Sequence, residues 1–129
     1  MFVISIESGS ADNSRIIPNP TWTQVETELR SLNGRLNDSI CLDSTGKSYM
    51  GIAGGAQDRY FVGGHLEGSG SFKCSSGKKN GPPLEVVVDG DYNIYPSRNV
   101  VDLETAIVAA RFFFERGALA EQLEWDKGY

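Results

Sequence analysis

Between residues 39 and 95 the chain offers one strand-like segment after another, with no helical period between them. That succession constrains the fold most. Parallel strands need long crossovers, usually helices, whereas antiparallel strands follow one another through short turns. Residues 39–43 and 47–52 flank Ser44-Thr45-Gly46, which reads as a hairpin turn. Residues 59–62 read as a further strand. Residues 84–88 read as a strand of the mid-sheet kind, turned by Asp89-Gly90 toward 92–95 and stopped by Pro96. Residues 63–81 carry Gly63, Gly64, Gly68, Gly70, Gly77 and Gly81 among serines and lysines; they read as a long exposed connection with one short strand near Phe72.

The flanks differ. Residues 2–6 read as a strand, followed by a polar loop from Ser8 toward Pro18 and Pro20. Trp22, Val25, Leu29 and Leu32 then recur on one helical stripe, with a capping box from Thr21 and Gln24 or from Thr23 and Glu26, and a stop at Asn33-Gly34. A second helix runs from an Asp102 cap to a Gly117 stop. It buries Leu103, Ala106, Ile107, Ala110, Phe113 and Phe114. Val108 and Phe112 lie opposite that stripe, and the nearest cover for them is the tail with Leu119, Leu123 and Trp125. The expectation is an α+β fold: an antiparallel sheet with two main helices packed on one side and a short C-terminal tail. At 129 residues, 40% apolar and 22% charged, residues 1–129 make a single domain with one core.

Charge and motifs exclude more chemistry than they suggest. Seventeen acids against twelve bases leave a net charge of −5, and Lys73, Lys78 and Lys79 form the one basic cluster. Nucleic-acid binding needs a positive surface that releases counterions, so no direct nucleic-acid partner is expected. The segment from Met1 to Glu7 has neither the positive start of a leader nor the length of a membrane span, which points to the cytoplasm and no membrane partner. Cys41 and Cys74 form no CxxC pair and no disulfide scaffold.

Gly46-Lys47-Ser48 matches the tail of a phosphate-binding loop, but Cys41 stands where its first glycine belongs and a strand follows. His65 is the sole histidine, and no elbow motif surrounds it. Structural zinc wants four paired ligands, and Asp89-Gly90-Asp91 lacks the closing glutamate of a calcium loop. No catalytic residue, metal or cofactor is expected.

Tyr49, Tyr60, Tyr92 and Tyr95 fall in or beside strands, interleaved with Asp58, Glu67, Asp89 and Asp91. Tyrosines suit binding patches and cores alike. The C-terminal third adds a pattern: residues 84–88, Tyr95-Pro96, Ala106 through Phe113-Phe114, Gly117, and Leu123-Glu124-Trp125. In that order these segments resemble immunity protein family one of bacterial polymorphic toxin systems. Met50 to Gly55 running into Arg59 to Val62 is compatible with that family's glycine-containing hairpin. The chain departs from the family at Leu119-Ala120, where its members often carry a basic residue followed by proline.

The resemblance implies a cytoplasmic antitoxin, not an enzyme, that binds and neutralises a cognate secreted toxin, often a nucleic-acid deaminase. Phe113, Phe114, Gly117 and Trp125 would then serve the fold. Occlusion of a basic cleft calls for acidic and aromatic contacts, and Asp58, Tyr60, Glu67, Asp89, Asp91 and Tyr92 are the toxin-binding candidates, on a monomer or weak homodimer. Two alternatives stay open: a ligand-binding or scaffold module using Lys73, Lys78, Lys79 and nearby amides for small anions, and a small hydrolase using His65 with a serine or cysteine of the glycine-rich middle.

Overall fold

The computed structural model of the chain describes residues 3–9, 14–76, 81–88 and 91–127, with Asp91 described through its backbone alone. In chain order the elements are β1 (Val3–Gly9), β2 (Arg15–Pro18), α1 (Trp22–Arg30), β3 (Ser39–Ser44), β4 (Tyr49–Gly54), β5 (Tyr60–Leu66), β6 (Gly70–Ser75), β7 (Leu84–Val88), β8 (Asp91–Tyr95), α2 (Leu103–Arg116) and β9 (Glu124–Lys127). Short 3-10 turns lie at Ala56–Asp58 and Ser97–Asn99. Seven strands form one antiparallel sheet in the order β2-β1-β3-β4-β5-β6-β9, and β7 pairs with β8 in a separate hairpin.

Side chains alternate across a pleated strand, so every second residue of this sheet shares a face. Ile6, Ile40, Leu42, Met50, Ile52, Tyr60, Val62, Phe72 and Cys74 occupy one face, joined in the core by Val25 and Leu29 of α1 and by Ala106, Ala109, Ala110 and Phe113 of α2. The expected α+β layer, with its helices on one side, is what the chain forms. Trp22 of α1 meets Phe114 of α2 with ring centroids 5.8 Å apart.

Both helix starts follow from their caps. The Gln24 N–H donates to Thr21 Oγ1 at 3.2 Å and the Thr21 N–H donates to Gln24 Oε1 at 2.8 Å, so the capping box is the Thr21 one. The Thr105 N–H donates to Asp102 Oδ1 at 2.9 Å, and α2 stops at Gly117, whose φ of 64° suits glycine.

The structure departs from expectation in four places. Residues 15–18, expected within a polar loop, form β2, which pairs back along a β1 that continues to Gly9, while residues 10–13 lie outside the described part. Buried Ser8 donates its hydroxyl to Glu28 of α1, which also holds Arg15. Residues 63–75 are not a connection but the end of β5, a tight turn and β6. Gly64 is required there, because a Cβ would meet the Phe72 ring at 3.0 Å and overlap the Tyr49 carbonyl oxygen.

Third, β7 is not mid-sheet. Its register with β8 runs from Leu84↔Tyr95 to Val88↔Asp91, with the linking residues 89–90 outside the described part. Finally, the tail ends in a strand of the main sheet. Leu119, Leu123 and Trp125 turn into the main core, and residues 124–127 pair with β6. The Trp125 Nε1–H donates to the carbonyl of buried Ala120 at 2.9 Å, and its ring meets Phe72 edge-on at 5.4 Å. The Arg116 guanidinium lies 5.3 Å from the Phe112 ring centre.

Asp126 ties β9 down. It accepts from Asn99 Nδ2 at 2.9 Å and pairs with Arg98 Nη2 at 2.5 Å. The Asn99 hydrogen bond is the largest influence on its carboxyl; desolvation opposes it, and the Arg98 charge and hydrogen bond with the Lys73 charge leave the carboxyl below the usual range. A depressed folded pKa stabilises above the unfolded value and loses that contribution as pH falls through the folded one. In urea unfolding, Asp126→Asn is therefore expected to be less stable than the parent at pH 7, with the gap closing below about pH 4. A gap constant from pH 7 to pH 3 would assign the loss to packing instead. Among the described residues no helix is long and apolar enough to cross a membrane.

Candidate functional site

The helices cover one face of the seven-stranded sheet, and the register orders the side chains of the other. Glu7, Cys41, Gly51, Gly63 and Lys73 stand opposite one another on successive strands from β1 to β6. One row to one side are Ser5, Asp43, Tyr49, His65 and Ser71; one row to the other are Gly9, Ser39, Ala53 and Phe61.

Small residues at the centre make this face hollow. A depression of about 410 Å³ lies over Gly51, walled by Cys41, Tyr49, Phe61 and Ser71. A Cβ on Gly51 would meet only the Gly63 carbonyl oxygen, at 3.6 Å, so the space above it is open. Gly63 is roofed instead, since a Cβ there would lie 2.9 Å from Cε1 of Phe61. The Phe61 ring also stacks on Tyr95 of β8, centroids 4.5 Å apart and planes 18° from parallel. Tyr49 forms the opposite wall and is 44% exposed.

The thiols are unsuited to nucleophilic work, because the thiolate is the reactive form. Burial, then the charge of Asp43 and a hydrogen bond to its Oδ1 at 3.6 Å, then Glu7, push Cys41 up to about 12. Burial pushes Cys74 up to about 11. Both cysteines are free and protonated near neutrality.

His65 has Tyr49 and Ser71 as register neighbours, neither a carboxylate that could orient an imidazole for base catalysis. In its row the carboxylate is Asp43, two strands away at about 10 Å. Among the described residues no group of three His, Cys, Asp or Glu side chains could hold a metal ion.

The hairpin turn that mimics a phosphate loop is filled from within. The Glu67 carboxylate accepts from the Lys47 N–H at 3.2 Å and crowds the space over Gly46, while Ser48 Oγ accepts from the Glu67 N–H at 2.9 Å. An anion would have to displace a carboxylate there. Lys78 and Lys79 lie outside the described residues.

Of the six residues expected to bind a toxin, the four with described side chains, Asp58, Tyr60, Glu67 and Tyr92, do not form one patch. Tyr60 must be corrected: it is 4% exposed, its backbone N–H and carbonyl both bond to Val101 at 2.9 Å, and it belongs to the core. Asp58 is exposed but accepts from the Leu103 N–H at 2.9 Å, so it helps cap α2. Glu67 closes the β3–β4 turn. Tyr92, 64% exposed, lies on the outer face of the β7–β8 hairpin with Ile94, 69% exposed. Asp89 and the Asp91 side chain lie outside the described residues.

The hollow face brings together residues that the sequence reading left apart: Glu7, Cys41, Asp43, Gly51 and Phe61 beside Tyr49. Alternation within residues 39–52 was the available signal, since Cys41, Asp43, Tyr49 and Gly51 fall on the parity opposite Ile40, Leu42, Met50 and Ile52. Compared with known proteins, the chain matches no family model and no curated protein.

Proposed function

We propose that the chain is a binding module of the immunity-protein kind, which neutralises a cognate secreted bacterial toxin by covering its active cleft and performs no chemistry itself. The observation that carries this reading is the sheet face turned away from the helices, where the described residues form a hollow with an exposed tyrosine and nearby carboxylates. Aromatic and acidic groups on such a scaffold suit a basic partner surface, and the net charge of −5 would speed the encounter. The order of the C-terminal segments, ending at Trp125, supports the family likeness. A nucleic-acid-targeting toxin such as a deaminase fits best, because its substrate cleft must be positive. The chain would act in the cytoplasm of the cell that makes it, as a monomer or weak homodimer.

The test is capture of the toxic C-terminal domain encoded by the neighbouring reading frame. The purified chain is expected to form a stable complex with that domain, abolish its activity, and lose affinity steeply with added salt. Full toxin activity in excess chain would overturn the proposal.

A further inference from the structure

We propose that the hollow over Gly51 is a seat for an arginine side chain of a basic protein partner, its stem laid between Tyr49 and Phe61 and its guanidinium held by Glu7 and Asp43. The inference rests on the binding role proposed above and specifies what the partner brings.

Charge comes first. Glu7 stands directly opposite Cys41 on β1, and Asp43 lies two residues along β3 on the same face. Asp43 Oδ1 is 3.6 Å from the Cys41 sulfur that walls the hollow. Among the described residues neither carboxylate is in an ion pair, whereas Glu26, Glu28, Glu115 and Asp126 each hold an arginine. Two carboxylates without a cation, beside a partly apolar recess, make a complementary site for one.

Shape then favours arginine over lysine. A guanidinium is planar, stacks on aromatic rings, and presents a fork of donors that two carboxylates can share. Tyr49, directly opposite Asp43, supplies the exposed ring. The missing side chain at Gly51 supplies room for the alkyl stem, with Phe61 as an apolar wall. Lys73 stands beyond Gly63 toward β9, where its charge bears on Asp126, so the cation-accepting end lies toward β1 and β3.

The hollow can be closed without unfolding the chain, because a side chain at Gly51 meets no close neighbour. The experiment titrates the full chain, isotope-labelled for amide spectra, with a tetra-arginine peptide, and with tetra-lysine at equal charge. Tetra-arginine is expected to shift the amides of Cys41, Gly51 and Gly63 and to bind several-fold more tightly than tetra-lysine. Gly51→Val, which fills the recess, and the double variant Glu7→Gln/Asp43→Asn, which keeps shape but removes charge, should each weaken tetra-arginine by about tenfold or more.

Equal response to both peptides spread over the acidic surface, or unchanged affinity in folded Gly51→Val, would overturn the seat. Capture of the toxin domain separates the two proposals. If parent and Gly51→Val inhibit the toxin equally, the seat is wrong and the binding role stands. If the parent does not bind the toxin while the peptide result holds, the binding role is what fails.

Discussion

Replacing Gly55 with alanine is expected to destabilise the chain by about 3–5 kcal/mol, a large part of what a domain of this size has. Gly55 sits at φ 119°, a backbone region closed to L side chains. A Cβ there would lie 2.7 Å from the Asn33 nitrogen and would overlap the Leu32 carbonyl. Its own N–H donates to the Arg59 carbonyl at 3.0 Å, so the residue cannot swing aside without breaking the turn into β5. Strain and backbone overlap therefore add. Gly68 is the control: its φ is 85° but nothing lies within 4 Å of a Cβ, so alanine there should cost only about 1 kcal/mol. Urea unfolding of the two variants reads the difference directly. Equal losses would mean that the contact with the end of α1 yields easily.

The second large loss is expected at Phe72→Ala, again about 3–5 kcal/mol. Phe72 is fully buried, takes the edge contact of Trp125, and lies over Gly64 of the neighbouring strand. Removing the ring leaves a cavity against backbone that has no side chain to collapse into it. Trp125 also loses its aromatic partner, worth about 0.5–1.5 kcal/mol beyond area burial. Phe72→Leu should cost markedly less. In a Trp22→Phe background the fluorescence of Trp125 should move to the red in Phe72→Ala, because the indole gains water. An unmoved spectrum with a full stability loss would show that β9 docks through Asp126 and Ala120 instead.

Much of the fold was legible where local chemistry and burial agree. The Thr21–Gln24 box, the Val25–Leu29 stripe, the Asp102 cap and the Gly117 stop were readable because each is settled within one helical turn. The Ser44-Thr45-Gly46 turn between two strand-like runs likewise marks the β3–β4 hairpin. The glycine-rich segment misled because glycine there answers a close approach of backbone or ring, a tertiary fact with no local sign. At Gly64 the partner is the strand facing it, and at Gly63 it is the Phe61 ring. The placement of β7 was equally hidden, since a strand rich in valine reads alike in a sheet centre and in a hairpin packed on a sheet end.

The candidate site was less legible than the fold. Tyr60 stands at a strand start, where side chains are often exposed, but parity with Val62 and the bond to Val101 carry it inward. Glu7 and Asp43 meet near Cys41 only through the pairing of β1 with β3. Strand order is long-range information, and nothing in residues 1–45 announces it.

One phenyl ring has two neighbours that belong to different parts of the molecule: Phe61 walls the hollow and lies flat against Tyr95. Whatever seats itself in the hollow presses on a ring that the hairpin is also leaning on, so the two cannot readjust independently. The hairpin thus touches the recess at one remove, through Tyr95 on the back of the Phe61 ring, and its outer tyrosine, Tyr92, is a natural place to hang a reporter of occupancy.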